Sequence, residues 1–186
     1  MKKIPTLFER VFENHRKIGI NNIVAPGMNW VLEGQGTATE KVDGACCAVI
    51  DGVFYRRYDA KRGKPAPAGA IPCCDPDPVT GHWPHWLAVN ETDPGDKWFV
   101  EAYRNAGCPT ENGTYEAIGP HFRSNPYNLD KDIIERHGIR ILSDVPRTFE
   151  GIRDYLESHF IEGIVFWKDG EPQCKIKRSD FGFKWD

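Results

Sequence analysis

Lys41 opens the tetrapeptide Lys41-Val42-Asp43-Gly44 where a run of small residues gives way to an apolar segment. A lysine amine acts as a nucleophile only when it is neutral, and nearby cations favour that state by making the ammonium costly. Lys175 and Lys177, two residues apart near the other end of the chain, are candidates to supply that charge. The tetrapeptide is short enough to arise by chance, so its weight depends on partners. Two carboxylates are singled out with it: Glu116 inside Gly113-Thr114-Tyr115-Glu116-Ala117-Ile118-Gly119, and Glu162 inside Ile161-Glu162-Gly163-Ile164-Val165-Phe166.

Local turn chemistry says how these groups meet. Asp169-Gly170 is a two-residue hairpin signal between apolar strands. A tight turn there sets Glu162 across from Lys177 and Ile164 across from Lys175. Alternation then projects Glu162, Lys175 and Lys177 from one side of the sheet. Pro172 has no N–H to give a ladder, so it must occupy a non-bonding position or the register slips by one. Asp51-Gly52 makes the same signal and sets Arg57 opposite Cys46, folded back toward Lys41.

The elements that must position these residues follow from periodicity. Thr6-Leu7-Phe8-Glu9 reads as a capping box, and Leu7, Phe8, Val11 and Phe12 then recur at helical spacing, predicting an opening amphipathic helix. Gly34-Gln35-Gly36-Thr37 reads as a loop that delivers Lys41 to the start of a strand, followed by the apolar run Ala45 to Ile50. Val53 to Arg57 is strand-like. Residues 63–96 read as a long irregular insertion with room for one short strand, and His82-Trp83-Pro84-His85 as a surface aromatic loop, because two histidines at that spacing do not make a metal site. Trp98 to Tyr103 fits strand or helix, Gly113 to Gly119 has the bounds of a buried strand, and residues 130–142 carry no clear period. Thr148 caps a second helix with Phe149, Ile152, Tyr155 and Leu156 on one face.

Composition bounds the class. With 186 residues and 40% hydrophobic content the chain is long enough for a sizeable core, and length argues for one domain. Six Trp and ten Phe beside 18 Gly and 14 Pro favour a sheet-rich interior over a helical bundle. No run approaches the roughly 20 apolar residues of a membrane span, so the expectation is a soluble, cytoplasmic protein. Cysteines at 46, 47, 73, 74, 108 and 174 fit neither a disulfide framework nor Cys-x-x-Cys zinc spacing, and read as reduced thiols. A net charge of −3 excludes nucleic-acid binding by bulk charge but not local basic grooves. Arg56, Arg57, Lys61, Arg62 and Lys64 crowd a stretch with Phe54, Tyr55 and Tyr58, the mixture such a groove uses; the same pattern also suits a charged edge strand. Gly34-Gln35-Gly36 lacks the third glycine of a dinucleotide fingerprint, and no Gly-x4-Gly-Lys loop, Gly-x-Ser-x-Gly elbow or His-Glu-x2-His helix occurs.

Lys41-Val42-Asp43-Gly44, Tyr115 to Gly119, Ile161 to Phe166 and Lys175-Ile176-Lys177 follow in the order of motifs I, III, IV and V of the covalent nucleotidyltransferases. That superfamily comprises the DNA ligases, RNA ligases and messenger-RNA capping enzymes. Within it the chain resembles most the 5′-to-3′ RNA ligases of vertebrates and large viruses, on Ala38 to Cys47, Arg57-Tyr58-Asp59, Asn125-Pro126-Tyr127 and Ile161 to Trp185. The match spans nearly the whole chain and is weakest between residues 63 and 110.

The resemblance implies an α+β fold of antiparallel β-sheets with flanking helices, the adenylation domain of the DNA ligase/mRNA capping enzyme type, as a single domain over 1–186 without an OB-fold domain. It implies an ATP-dependent RNA ligase using Mg²⁺ (or Mn²⁺) on RNA with 5′-phosphate and 3′-hydroxyl ends, in RNA repair, with no membrane and no obligate protein partner. Lys41 becomes the nucleophile. Lys175 and Lys177 hold the α-phosphate and stabilise the charge of departing pyrophosphate. The backbone of Thr39-Glu40 lies near the adenine edge, Asp43 and Gly44 belong to the nucleotide site, Glu116 contacts the ribose 2′-OH, and Glu162 approaches the α-phosphate through a metal ion. Arg57 contacts the nucleotide or the incoming 5′-phosphate, with Arg56 and Arg62 as rivals. The competing readings are a guanylyltransferase, a DNA ligase, or an inactive nucleotide- or RNA-binding module.

Overall fold

A computed structural model describes residues 3–61, 63–78 and 80–185. In chain order its elements are β1 (Phe8–Glu13), β2 (Arg16–Val24), α1 (Asn29–Leu32), β3 (Thr37–Glu40), β4 (Ala45–Ile50), β5 (Val53–Ala60), β6 (Ile71–Pro72), β7 (Trp83–Ala88), α2 (Lys97–Asn105), β8 (Gly113–Ile118), β9 (Ile133–Arg136), α3 (Phe149–Ser158), β10 (Gly163–Lys168) and β11 (Glu171–Lys177). The fold is α+β, with antiparallel pairing between named strands throughout and few helices. The chain forms two compact units: Lys3–Val42 with Gly138–Asp186, and Asp43–His137.

The unit that carries Lys41 is built on a three-stranded sheet in the order β11-β10-β3. Ala38, Phe166 and Cys174 line up across the three strands and are buried, as are Ile164 and Ile176. Leu7, Phe8, Val31, Ile152 and Leu156 complete this core. Fully burying such side chains contributes about 1.5–3 kcal/mol each, so α3 docks as expected by its Ile152, Tyr155 and Leu156 face. Thr148 caps it, its hydroxyl accepting from the Gly151 N–H at 3.0 Å.

The predicted opening helix is not formed. Phe8–Glu13 and Arg16–Val24 make a hairpin closed by Asn14 and His15, both at positive φ. A six-residue helix is marginal alone, whereas a two-residue turn with both central residues left-handed matches the strand twist and satisfies the backbone. The preceding segment is tied to the sheet: Leu7 N–H donates to the Lys175 carbonyl at 2.8 Å, and Lys175 N–H to the Pro5 carbonyl at 3.0 Å.

The last hairpin takes the one-residue slip named as the alternative at Pro172, in place of the unshifted pairing. Trp167 faces Pro172, but from Phe166 inward one extra residue on β11 shifts the pairing, so Lys175 faces Val165 and Lys177 faces Gly163. A bulge beside Pro172 accommodates the residue that has no N–H to donate. Lys177 therefore opposes Gly163, not Glu162.

The second unit is a six-stranded sheet in the order β6-β7-β5-β4-β8-β9. The Asp51-Gly52 hairpin has the expected register, with Cys47 opposite Arg56 and Ile50 opposite Val53. Cys47, Val49, Tyr115, Ala117 and Ile134 form its buried face with Ala102 of α2. Trp98 to Tyr103 is thus helical. Residues 63–96 are less irregular than expected: β6 and β7 extend the sheet, and Trp83-Pro84-His85-Trp86 is a strand with His85 buried, not a surface loop.

Candidate functional site

Lys41 directly follows β3, its N–H donating to the Gly163 carbonyl at 2.8 Å. Thr37 to Glu40, expected as the end of a loop, forms the strand that delivers it. Continuing the pairing across the sheet places Lys41, Gly163 and Lys177 in one row, and Thr39, Val165 and Lys175 two rows along, on the same face. The opposite face carries the Ala38, Phe166 and Cys174 core, so the amines gather on the face away from it.

Glu162 lies just before β10, where the chain bends, and this bend turns its carboxylate toward the amine row. Its Oε2 accepts from Lys41 Nζ at 2.5 Å, and its Oε1 accepts from Lys177 Nζ. Glu162 is 4% exposed. Gly163 permits the close approach: a Cβ there would stand 2.3 Å from the Ile176 carbonyl oxygen and 2.9 Å from the Lys177 Cα.

Lys175 completes the cluster. Burial, then the charges of Lys41, Lys177 and Arg10, lower its amine from 10.5 to about 8, against an opposing pull from Glu162. Three amines with one carboxylate leave a positive surplus, which suits an anion such as a phosphate.

Asp180 braces this end of the sheet. Its Oδ2 accepts from the Lys177 N–H at 2.9 Å, while Oδ1 pairs with Lys17 at 2.8 Å and Arg10 at 3.3 Å. Burial alone would raise its carboxyl, yet the Lys17 and Lys177 hydrogen bonds and the nearby cations hold it below the ordinary carboxylate value. Neither Arg10 nor Asp180 was singled out in the sequence; the hairpin that brings Arg10 in was read there as a helix. Glu40 pairs with Arg140 at 3.1 Å in the same unit.

The remaining predicted residues lie in the other unit. Glu116 is 9% exposed, and its Oε2 lies 2.7 Å from His137 Nε2. Its cross-strand partner is Cys46, whose thiol is raised to about 12 by burial and then by the Glu116 charge. His137 was not anticipated, because it follows a strand in the stretch without a clear period. Gly44 answers to backbone: a Cβ there would lie 2.2 Å from the Ala117 carbonyl oxygen. Asp43 N–H donates to the Tyr127 hydroxyl at 2.7 Å, and its carboxylate lies 3.6 Å from Arg123 Nε.

Two arginines of the expected basic groove are internally paired. Arg57 pairs with Asp59 at 2.7 Å and Arg56 with buried Asp96 at 2.5 Å. Phe54 is in the core, stacked on Tyr103 at 4.4 Å. Arg62 lies outside the described residues. A surface hollow along α2, lined by residues including Glu91, Asp93, Lys97 and Arg104, contains none of the predicted site residues. All six cysteines are free. Among the described residues no helix is long and apolar enough to cross a membrane. No protein-family model and no curated protein matches this chain.

Proposed function

We propose that this protein is an ATP-dependent RNA ligase built on an adenylation domain of the nucleotidyltransferase type, with Lys41 as its nucleophile. The observation that carries the reading is the ionic cluster of one sheet: Lys41 and Lys177 on the two oxygens of Glu162, with Lys175 beside them. For Asp43, Gly44, Arg57 and Glu116 the reading rests on the resemblance of their motifs.

In the first step Lys41 Nζ, having shed a proton, bonds to the α-phosphorus of ATP as the bond from that phosphorus to the bridging oxygen of pyrophosphate breaks. Lys175 and Lys177 supply fixed positive charge where the phosphoryl oxygens gain negative charge. Lys41 must leave Glu162 to attack, and the Glu162 carboxylate would then be free to hold a cation in place of the amine. Glu162 offers hard oxygens that fit Mg²⁺ or Mn²⁺, which when bound neutralise charge on the departing pyrophosphate. AMP then passes from Lys41 to an RNA 5′-phosphate, and a 3′-hydroxyl displaces it to form the phosphodiester. The proposed setting is cytoplasmic RNA repair.

Incubation with α-labelled ATP and Mg²⁺ should label the wild-type protein and leave Lys41→Ala unlabelled. Mapping the adduct to residue 41 separates Lys41 from Lys175, the neighbouring amine of lowered pKa. Parallel reactions with GTP, and with 5′-phosphorylated DNA in place of RNA, distinguish guanylyltransferase and DNA ligase activity. A folded wild-type protein that binds ATP yet forms no acid-stable protein–AMP bond would be a binding module and would end the enzyme reading.

A further inference from the structure

We propose that Cys46, Glu116 and His137 form a binding site for a divalent transition-metal cation of the Zn²⁺ class. Cys46 of β4 and Glu116 of β8 are direct cross-strand partners, so their side chains share a face. His137 follows β9, and its N–H donates to the Thr114 carbonyl at 3.0 Å, which sets it opposite Thr114, two residues from Glu116 on β8 and so on the same face of the sheet. One sulfur, one carboxylate oxygen and one imidazole nitrogen thus come within 4.8 Å of one another.

The donor set selects the ion. Sulfur and imidazole suit borderline cations such as Zn²⁺ and Co²⁺ and do not suit Mg²⁺ or Ca²⁺. At Zn–ligand lengths of about 2.0–2.3 Å, tetrahedral ligands stand roughly 3.3–3.8 Å apart. The triad brackets that spacing, with Glu116 and His137 at 2.7 Å and no pair beyond 4.8 Å. Small side-chain rotations therefore admit the ion.

The outer groups are arranged for it. His137 Nδ1 lies 2.9 Å from Thr114 Oγ1. With Nδ1–H donated to that hydroxyl, Nε2 presents its lone pair toward the Glu116 carboxylate, and a cation between the two acceptors satisfies both. This is the tautomer control that metal-binding histidines commonly receive from a neighbouring acceptor. A thiolate and a carboxylate neutralise the double positive charge, which suits so enclosed a place; one proton leaves Cys46 Sγ as the metal–sulfur bond forms. Three protein ligands leave a fourth coordination position open.

The test uses the full chain, freed of metal with a chelator and titrated with Co²⁺ in the absence of ATP and RNA, so that the ribose contact proposed for Glu116 does not compete for its carboxylate and the outcome is read apart from ligase activity. One equivalent should give saturable thiolate-to-cobalt charge-transfer and d–d absorption that Zn²⁺ displaces. Cys46→Ser should abolish the charge-transfer band, Glu116→Gln and His137→Gln should weaken binding at least about 10-fold, and Thr114→Val should weaken it by about 10-fold. Cys108→Ser, at an exposed thiol, should change nothing. Circular dichroism checks each variant; if Cys46→Ser does not fold, His137→Gln decides. A folded wild-type protein without a saturable thiolate band overturns the proposal, as does a band that survives Cys46→Ser and His137→Gln or disappears with Cys73→Ser.

Discussion

Lys41 Nζ and Glu162 Oε2 lie 2.5 Å apart although 121 positions separate them in sequence, and the other oxygen of the same carboxylate holds Lys177. One buried acid thus gathers two amines that alternation alone would not bring to it. Glu162→Gln should destabilise the protein by about 2–4 kcal/mol, because it leaves the amines without their shared acceptor. Urea denaturation measures this, and a Lys41→Met/Glu162→Gln double variant should lose less than the sum of its parts. On the ligase reading, adenylation by Glu162→Gln should fall at least about 100-fold.

Lys175 sets a pH dependence on the alkaline side. Its amine titrates at about 8 in the folded protein against 10.5 ordinarily. Between those values the unfolded chain holds the extra proton, so this group makes stability rise with pH across the window. Below pH 8 both states are charged and the full penalty applies. Lys175→Met should therefore be more stable than wild type at pH 7, by at most about 3 kcal/mol given the solvent that still reaches the amine. The difference should shrink from pH 8 and vanish above 10.5; a constant difference in denaturant titrations across that range would contradict the assignment.

Asp180 acts in the opposite direction. Its carboxyl is held below its ordinary 3.8, so its contribution is present above that value and is lost as pH falls through the lower folded value. Asp180→Asn should cost about 1–3 kcal/mol at pH 7, where it forfeits the Lys17 and Arg10 pairs. The gap from wild type should narrow in strong acid. On the ligase reading, because Asp180 also fixes the Lys177 N–H, adenylation should drop with ATP binding less affected.

Gly163 and Gly44 are required by backbone on the neighbouring strand. Gly163→Ala puts a Cβ 2.3 Å from the Ile176 oxygen and Gly44→Ala puts one 2.2 Å from the Ala117 oxygen. Each should cost about 3 kcal/mol, read from thermal or denaturant midpoints. In contrast, an added Cβ at Gly170 meets nothing within 4 Å, and the penalty there is confined to its positive φ of 77°.

Much of the fold was legible because its signals are local. The Asp51-Gly52 and Asp169-Gly170 turns, the Thr148 cap and the Gly113 to Ile118 strand each declare themselves over a few residues, and the structure forms all of them. The opening segment was misread because Leu7, Phe8, Val11 and Phe12 satisfy helical spacing while the turn at Asn14-His15 favours strands, and pairing decided between them. Residues 63–96 hid β6 and β7, whose partners are supplied by β5.

By itself the sequence determined which chemical groups are present and roughly which elements carry them: the amines of Lys41, Lys175 and Lys177 and the carboxylates of Glu116 and Glu162. Only tertiary structure decided who meets whom. The bulge beside Pro172 set Lys177 against Gly163, the bend before β10 turned Glu162 to the amines, and the pairing of β4, β8 and β9 brought Cys46, Glu116 and His137 together. Side-chain type is fixed residue by residue, but its neighbours depend on register, and a single inserted residue changes which atoms lie within bonding distance.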